Sequence, residues 1–196
     1  MIGSPGHPRV GVTVMVAVIG AGIFAFYKIS AAAKQFREET GLLNSQTKGL
    51  EEQFSRVAAS TAAIGGSVDD VAKAAAVFSN QFEGLEQASD GVLTSMVALN
   101  KNFGVGIEEG ARLNKLFTSM GNMSANTAQH LINTTVQAAK LAGVAPDKVI
   151  KDMAESAEDA YNFFKGNPAE LAKAAVAAAK LGSSLKEAVS VSKGLL

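Results

Sequence analysis

The chain has 196 residues, 47 % of them hydrophobic, with 18 basic and 18 acidic side chains that cancel to a net charge of zero. That is enough apolar material for one or two buried cores, and the scattered charge excludes the basic stripe that nucleic-acid binding requires, so no sequence-specific nucleic-acid binding is expected. The absence of cysteine excludes disulfides, thiolate metal sites and cysteine nucleophiles, and two isolated histidines, His7 and His130, do not make a metal site.

Residues 1–9 hold Pro5 and Pro8 with two glycines and read as a flexible lead-in. Residues 10–27 then carry no charge, between Arg9 and Lys28. At 1.5 Å per residue this is about the minimum that spans a bilayer core as a helix, and residues 10–28 are taken as an apolar, membrane-type segment. As such a helix it places Ala17, Ala21 and Ala25 on one face at the small-xxx-small spacing, a candidate membrane or oligomer face. Other readings stand beside it. Valine at 10, 12, 14, 16 and 18 is the period-2 pattern of a strand. Ala31-Ala32-Ala33 resembles a signal-peptide cleavage site. An apolar helix buried in a protein assembly would look the same.

Residues 29–64 read as two amphipathic helices. Ile29, Ala32, Ala33 and Phe36 share one face up to Gly41, and a second helix over residues 45–63 carries Leu50, Phe54, Val57, Ala58 and Ala62. Residues 65–196 form a helical-hairpin region, with helices expected over 68–82, 90–102, 107–120, 125–141, 146–164, 168–181 and from 185 to the end. Short connections make neighbouring helices antiparallel. The fold class is all-α.

A period organises this region. Gly65-Gly66-Ser67-Val68, Gly104-Val105-Gly106-Ile107, Gly143-Val144-Ala145-Pro146 and Gly182-Ser183-Ser184-Leu185 follow one another in steps of 39 residues. In each, glycine ends one helix in a left-handed conformation, a small residue caps the next and an apolar residue opens it. Ser67 with Asp70 and Ser184 with Glu187 read as capping boxes. Two further columns, Phe54, Leu93, Ile132, Leu171 and Ile64, Phe103, Ala142, Leu181, read as inward faces. A period near 40 belongs to hairpin repeats that bury their apolar sides only by stacking.

No constellation of catalytic residues emerges, so no enzyme activity and no cofactor are expected. The doublets Glu38-Glu39, Glu51-Glu52, Asp69-Asp70 and Glu108-Glu109 point about 100° apart on a helix and read as first-turn or solvated charges. Ser190 and Lys193 have the spacing of a serine acyl-enzyme without its companion motifs. His130, beside Gln129 and Asn133, reads as an exposed histidine. Phe78, Phe82, Phe103, Phe117, Phe163 and Phe164 fall where a helical repeat needs large core residues.

The run Lys34-Gln35-Phe36-Arg37-Glu38-Glu39-Thr40-Gly41-Leu42-Leu43, the glycine-punctuated helices after it and the stretch from Leu171-Ala172-Lys173-Ala174-Ala175-Val176 to Leu195-Leu196 resemble tail tape-measure proteins of tailed bacteriophages. The resemblance covers roughly residues 30–196 and lies in helix, turn and Ala/Lys/Gly texture. It implies a homo-oligomeric virion protein inside the tail tube or tip, touching tube and baseplate or tail-tip hub proteins. Such a protein sets tail length and meets the host cell membrane during genome delivery. The alternative is a helical membrane-inserting or pore-forming protein. Members of the family are much longer, and Leu185, Ala188, Val189 and Leu195 read as an apolar face awaiting a further helix, so the natural chain is expected to continue.

Overall fold

The computed structural model describes residues 10–156, 162–164 and 166–194, with side chains from residue 25 onward except that of Met120. Among these residues the chain is all-α, with nine α-helices and no strand. They are α1 (Val10–Thr40), α2 (Leu50–Thr61), α3 (Val68–Phe82), α4 (Asp90–Phe103), α5 (Ile107–Gly121), α6 (Ala125–Leu141), α7 (Pro146–Glu155), α8 (Pro168–Lys180) and α9 (Leu185–Gly194). A short 3₁₀ turn, Ala62–Ile64, continues α2. The expected lead-in over residues 1–9 lies outside the described residues.

The alternating valines of residues 10–18 are helical, which removes the strand reading. The apolar run and the amphipathic helix after it form one helix of 31 residues, with no break at residues 28 and 29. Among the described residues no helix is long and apolar enough to cross a membrane. The side chains of residues 10–24, most of the apolar run, lie outside that description.

Each helix packs on its sequence neighbour and on the helix two further along: α1 on α3, α3 on α5 and α5 on α7 in one layer, α2 on α4, α4 on α6 and α6 on α8 in the other. Helix α9 closes onto α7 and α8. Antiparallel hairpins thus stack side by side, and each buries its apolar face against the next. The interior forms two pools. The first gathers Phe36, Phe54, Val71, Phe78 and Leu93, with Phe36 and Phe54 edge to face at 5.9 Å between ring centroids. The second gathers Leu113, Phe117, Ile132, Ile150, Met153, Leu171 and Leu185.

Turn chemistry fixes the hairpins. Gly65, Gly104, Gly143 and Gly182 have φ of 78°, 67°, 74° and 75°, the left-handed region where a side chain would be strained. The next helices open at Val68, Ile107, Pro146 and Leu185, again 39 residues apart. Ser67 Oγ accepts the Asp70 N–H at 3.2 Å while Asp70 Oδ2 accepts the Ser67 N–H at 2.9 Å. Ser184 and Glu187 repeat this pair at 3.2 and 2.9 Å. We call the line of these four turns the glycine edge, and the line of connections from odd to even helices the far edge.

Several expectations are corrected. Of the two columns, Phe54, Leu93, Ile132 and Leu171 are fully buried, but Ile64 is 36 % and Leu181 84 % exposed, with Phe103 and Ala142 half-buried. This second column sits at the last turn of each even helix, where the chain has already left the interface between layers. Helix α2 starts at Leu50 rather than near residue 45, because Gly49 is left-handed at φ 79°. Helix α7 is ten residues long and stops at Glu155, where Ser156 leaves helical geometry. On α9, Leu185 and Val189 are buried in the second pool, not left open; the exposed apolar residue there is Val191, and Leu195 lies outside the described residues.

Candidate functional site

The two edges are the candidate sites, because the inward helix faces between them are consumed by packing and the outward ones present scattered polar and small side chains. At the glycine edge, even helices end with lysine in their last turns, Lys101, Lys140 and Lys180, and odd helices begin with Asp69 and Asp70, Glu108 and Glu109, Asp147 or Glu187. Both signs suit the helix dipoles they stand beside. Lys101 Nζ lies 2.9 Å from Asp70 Oδ1, closing one hairpin, and Lys140 Nζ stands 5.5 Å from the Phe103 ring centroid on the preceding even helix. Burial pushes the Asp70 carboxyl up, but hydrogen bonds from the Ser67 side chain, Lys101 and the Ser67 backbone outweigh it, and the group lies below the ordinary aspartate range. Glu187 is likewise lowered, by hydrogen bonds from the backbone and side chain of Ser184.

At the far edge a cleft of about 650 Å³ opens between the α1–α2 and α3–α4 connections, lined among others by Leu42, Lys48, Glu52, Arg56, Phe82 and Glu86. Its arginine is engaged: Arg56 Nε donates to Asp90 Oδ2 at 2.7 Å. That hydrogen bond lowers Asp90 and raises Arg56. Gln53 Nε2 donates to the Ala88 carbonyl at 2.7 Å. The lining mixes both charges with apolar carbon, and Arg56 and Gln53 are engaged in joining α2 to the start of α4. Its described lining residues include no histidine, serine or cysteine to form a nucleophile, base and orienter set.

The other sequence candidates do not converge. His130 is exposed on α6, and Ser190 and Lys193 are exposed on α9. Gly104 and Gly106 belong to the turn that joins α4 to α5. Among the described residues no cluster of His, Asp and Glu could hold a metal ion. Ala25 is exposed, and the side chains of Ala17 and Ala21 lie outside the described residues.

Comparison of the chain with family models, curated proteins and solved structures gave no match.

Three features escaped the sequence reading. A polar chain, buried at Asn114 and Gln129, crosses the stack: Asn114 Nδ2 donates to Gln129 Oε1 at 3.2 Å, Gln129 Nε2 to Asn133 Oδ1 at 3.2 Å, and Asn133 Nδ2 to Ser95 Oγ at 3.2 Å, tying α5, α6 and α4 together. The signal was available, since Asn114 interrupts the apolar face of Gly110, Leu113 and Phe117. Asp152 of α7 caps another helix, accepting the Leu185 N–H of α9 at 2.6 Å. Left-handed residues at the far edge, Glu83 at φ 58° and Asn122 at φ 47°, are also 39 apart and were hidden because neither is glycine.

Proposed function

We infer that this chain is a virion structural protein of the tail tape-measure type, lying in the tail tube or tip as a homo-oligomer. It sets tail length and takes part in genome delivery through the host membrane. One observation carries the reading: the uncharged run of residues 10–27 and the first packed helix of the hairpin stack are a single helix, α1. An apolar element is thus joined rigidly to a body whose polar groups serve capping and interlayer contacts. Such a chain suits a part that is held in an assembly and later meets lipid. The tail tube, the baseplate or tail-tip hub and the host membrane are its proposed partners, and no catalytic role is proposed.

The test is an in-frame deletion of one period, residues 104–142, in the virus that encodes the chain. If the ruler is read as extended helix at 1.5 Å per residue, tails should shorten by about 58 Å. Tails of unchanged length would remove the ruler. Prompt release of dye from neutral vesicles by the purified full chain would instead favour a pore former, because a tail component holds its apolar segment against protein until infection.

A further inference from the structure

The glycine edge carries most of the large apolar side chains that the body leaves in water, and α1 leaves the body at the same edge. Helices α1 and α2 are consecutive, joined by the connection 41–49, and pack on each other. Helix α2 has 12 residues, so running back from Thr40 beside it brings α1 level with the end of α2 at about Ile29. Among the described side chains of α1, Ile29 is the first packed against the core. Just before it, Phe26 is 66 % and Tyr27 70 % exposed. The turns of α1 that precede Ile29 therefore pass the glycine edge along the direction of the helix axes.

A row of side chains runs across that departure point. Ile64, Phe103, Leu141 and Leu181 lie at the ends of α2, α4, α6 and α8, which pack side by side, so the row steps by one helix spacing of about 8–10 Å. Leu141 is 89 % and Leu181 84 % exposed. Lysines and carboxylates stand among them, with the carboxylates in excess, so the edge has no net positive charge.

We propose that the glycine edge is a membrane-contacting surface: when α1 stands across a bilayer, Ile64, Phe103, Leu141 and Leu181 lie against the lipid interface with Phe26 and Tyr27. The inference rests on reading residues 10–27 as a bilayer-crossing helix. If α1 crosses a bilayer, the orientation of the edge favours lipid over a protein partner. A helix crossing the bilayer along the direction of the body's own helices turns the whole glycine edge parallel to the membrane plane. Phe26 and Tyr27 then stand where aromatic side chains belong, at the boundary between hydrocarbon and headgroups. Lysines with apolar neighbours suit the same layer, stems in the apolar zone and ammonium groups among phosphates. With carboxylates interspersed, contact depends on apolar insertion rather than on anionic lipid, and it survives salt.

The cysteine-free chain permits a direct test. Full-length Ile19→Cys, Leu141→Cys, Leu181→Cys and Leu43→Cys are labelled with an environment-sensitive fluorophore and reconstituted into phosphatidylcholine vesicles carrying quenchers either deep in the acyl chains or at the headgroups. Leu43, 67 % exposed, marks the far edge. The label at position 19 should be quenched from the deep position, and labels at 141 and 181 by the headgroup quencher several-fold more than the label at 43, equally at low and high salt. Quenching at 19 with no excess at 141 and 181 over 43, or an excess abolished by salt, overturns the edge proposal while leaving the crossing helix intact. No deep quenching at 19 overturns the crossing helix, and the edge proposal with it.

Discussion

Replacing Ile132 with alanine tests whether the 39-residue column Phe54, Leu93, Ile132, Leu171 is a structural axis of the stack. Ile132 is 1 % exposed in the second apolar pool, with Leu113, Phe117 and Val136 in the same pool. The substitution removes three buried carbons, about 2.4 kcal/mol at ~0.8 kcal/mol each. Space that the neighbours fail to fill adds ~24 cal/mol per Å³, or about 1 kcal/mol for each ~40 Å³ left open. A total of about 3 kcal/mol follows. With a urea slope of about 2 kcal/mol/M, the midpoint of the loss of helical circular dichroism should fall by about 1.5 M for the full chain in mild detergent. Leu93→Ala and Leu171→Ala should cost a similar amount. Leu181→Ala is the internal control, because an exposed substitution should stay within about 0.5 kcal/mol. A negligible cost at Leu93, Ile132 and Leu171, or a cost at Leu181 equal to theirs, would refute the column.

Other expectations follow from single contacts. In Gly66→Ala the new carbon would meet the Thr61 side chain and lie 3.0 Å from the Thr61 carbonyl oxygen, so thermal melting should show a loss of about 1–3 kcal/mol. Ser67→Ala removes the cap of α3 and should cost about 1 kcal/mol in the same assay. Asn114→Leu strands the Gln129 amide in the interior and should cost about 1–3 kcal/mol despite its greater apolarity; a neutral result would mean the polar chain is dispensable. Asp70, Asp90 and Glu187 are held below their ordinary pKa values, so the stability they contribute is complete above the unfolded carboxylate range near pH 4 and is lost as pH falls through the lower folded values. Urea midpoints should therefore be flat from about pH 7 to 5 and decline below about 4; a midpoint that rises on acidification would contradict the assignment. If the alanine face mediates self-association, Ala21→Leu should lower the mass measured by light scattering in mild detergent.

The hairpins were legible in the sequence because their chemistry is local. A left-handed glycine, a small cap and an apolar first residue act over four or five positions, and α3 and α6 have the bounds that these signals imply. The column through Ile132 was legible for a similar reason, since mid-helix periodicity reports the packed face. The column through Leu181 was misread because the same periodicity continues into the last turn, where the neighbouring layer no longer covers it. Far-edge features were hidden. Glu83 and Asn122 adopt a backbone state usually announced by glycine, and the Asp152 cap joins residues 33 apart that no local pattern connects. The candidate surface was least legible, because it depends on which ends of which helices share an edge.

The two edges also differ in what they allow the chain to become. Far-edge connections have different lengths at each step, 41–49, 83–89 and 122–124, yet the hairpins on either side stack alike. At the glycine edge each left-handed glycine stands the same distance before the next helix, Gly65 before Val68, Gly104 before Ile107, Gly143 before Pro146 and Gly182 before Leu185. Extra residues at the far edge are a local event, absorbed in a loop. One extra residue at the end of an even helix is a phase error: it advances the exit by about 100°, and the following helix must either unwind a turn or present the wrong face to its neighbour. The stack can therefore diversify freely along one margin, while along the other it can change length only in whole periods.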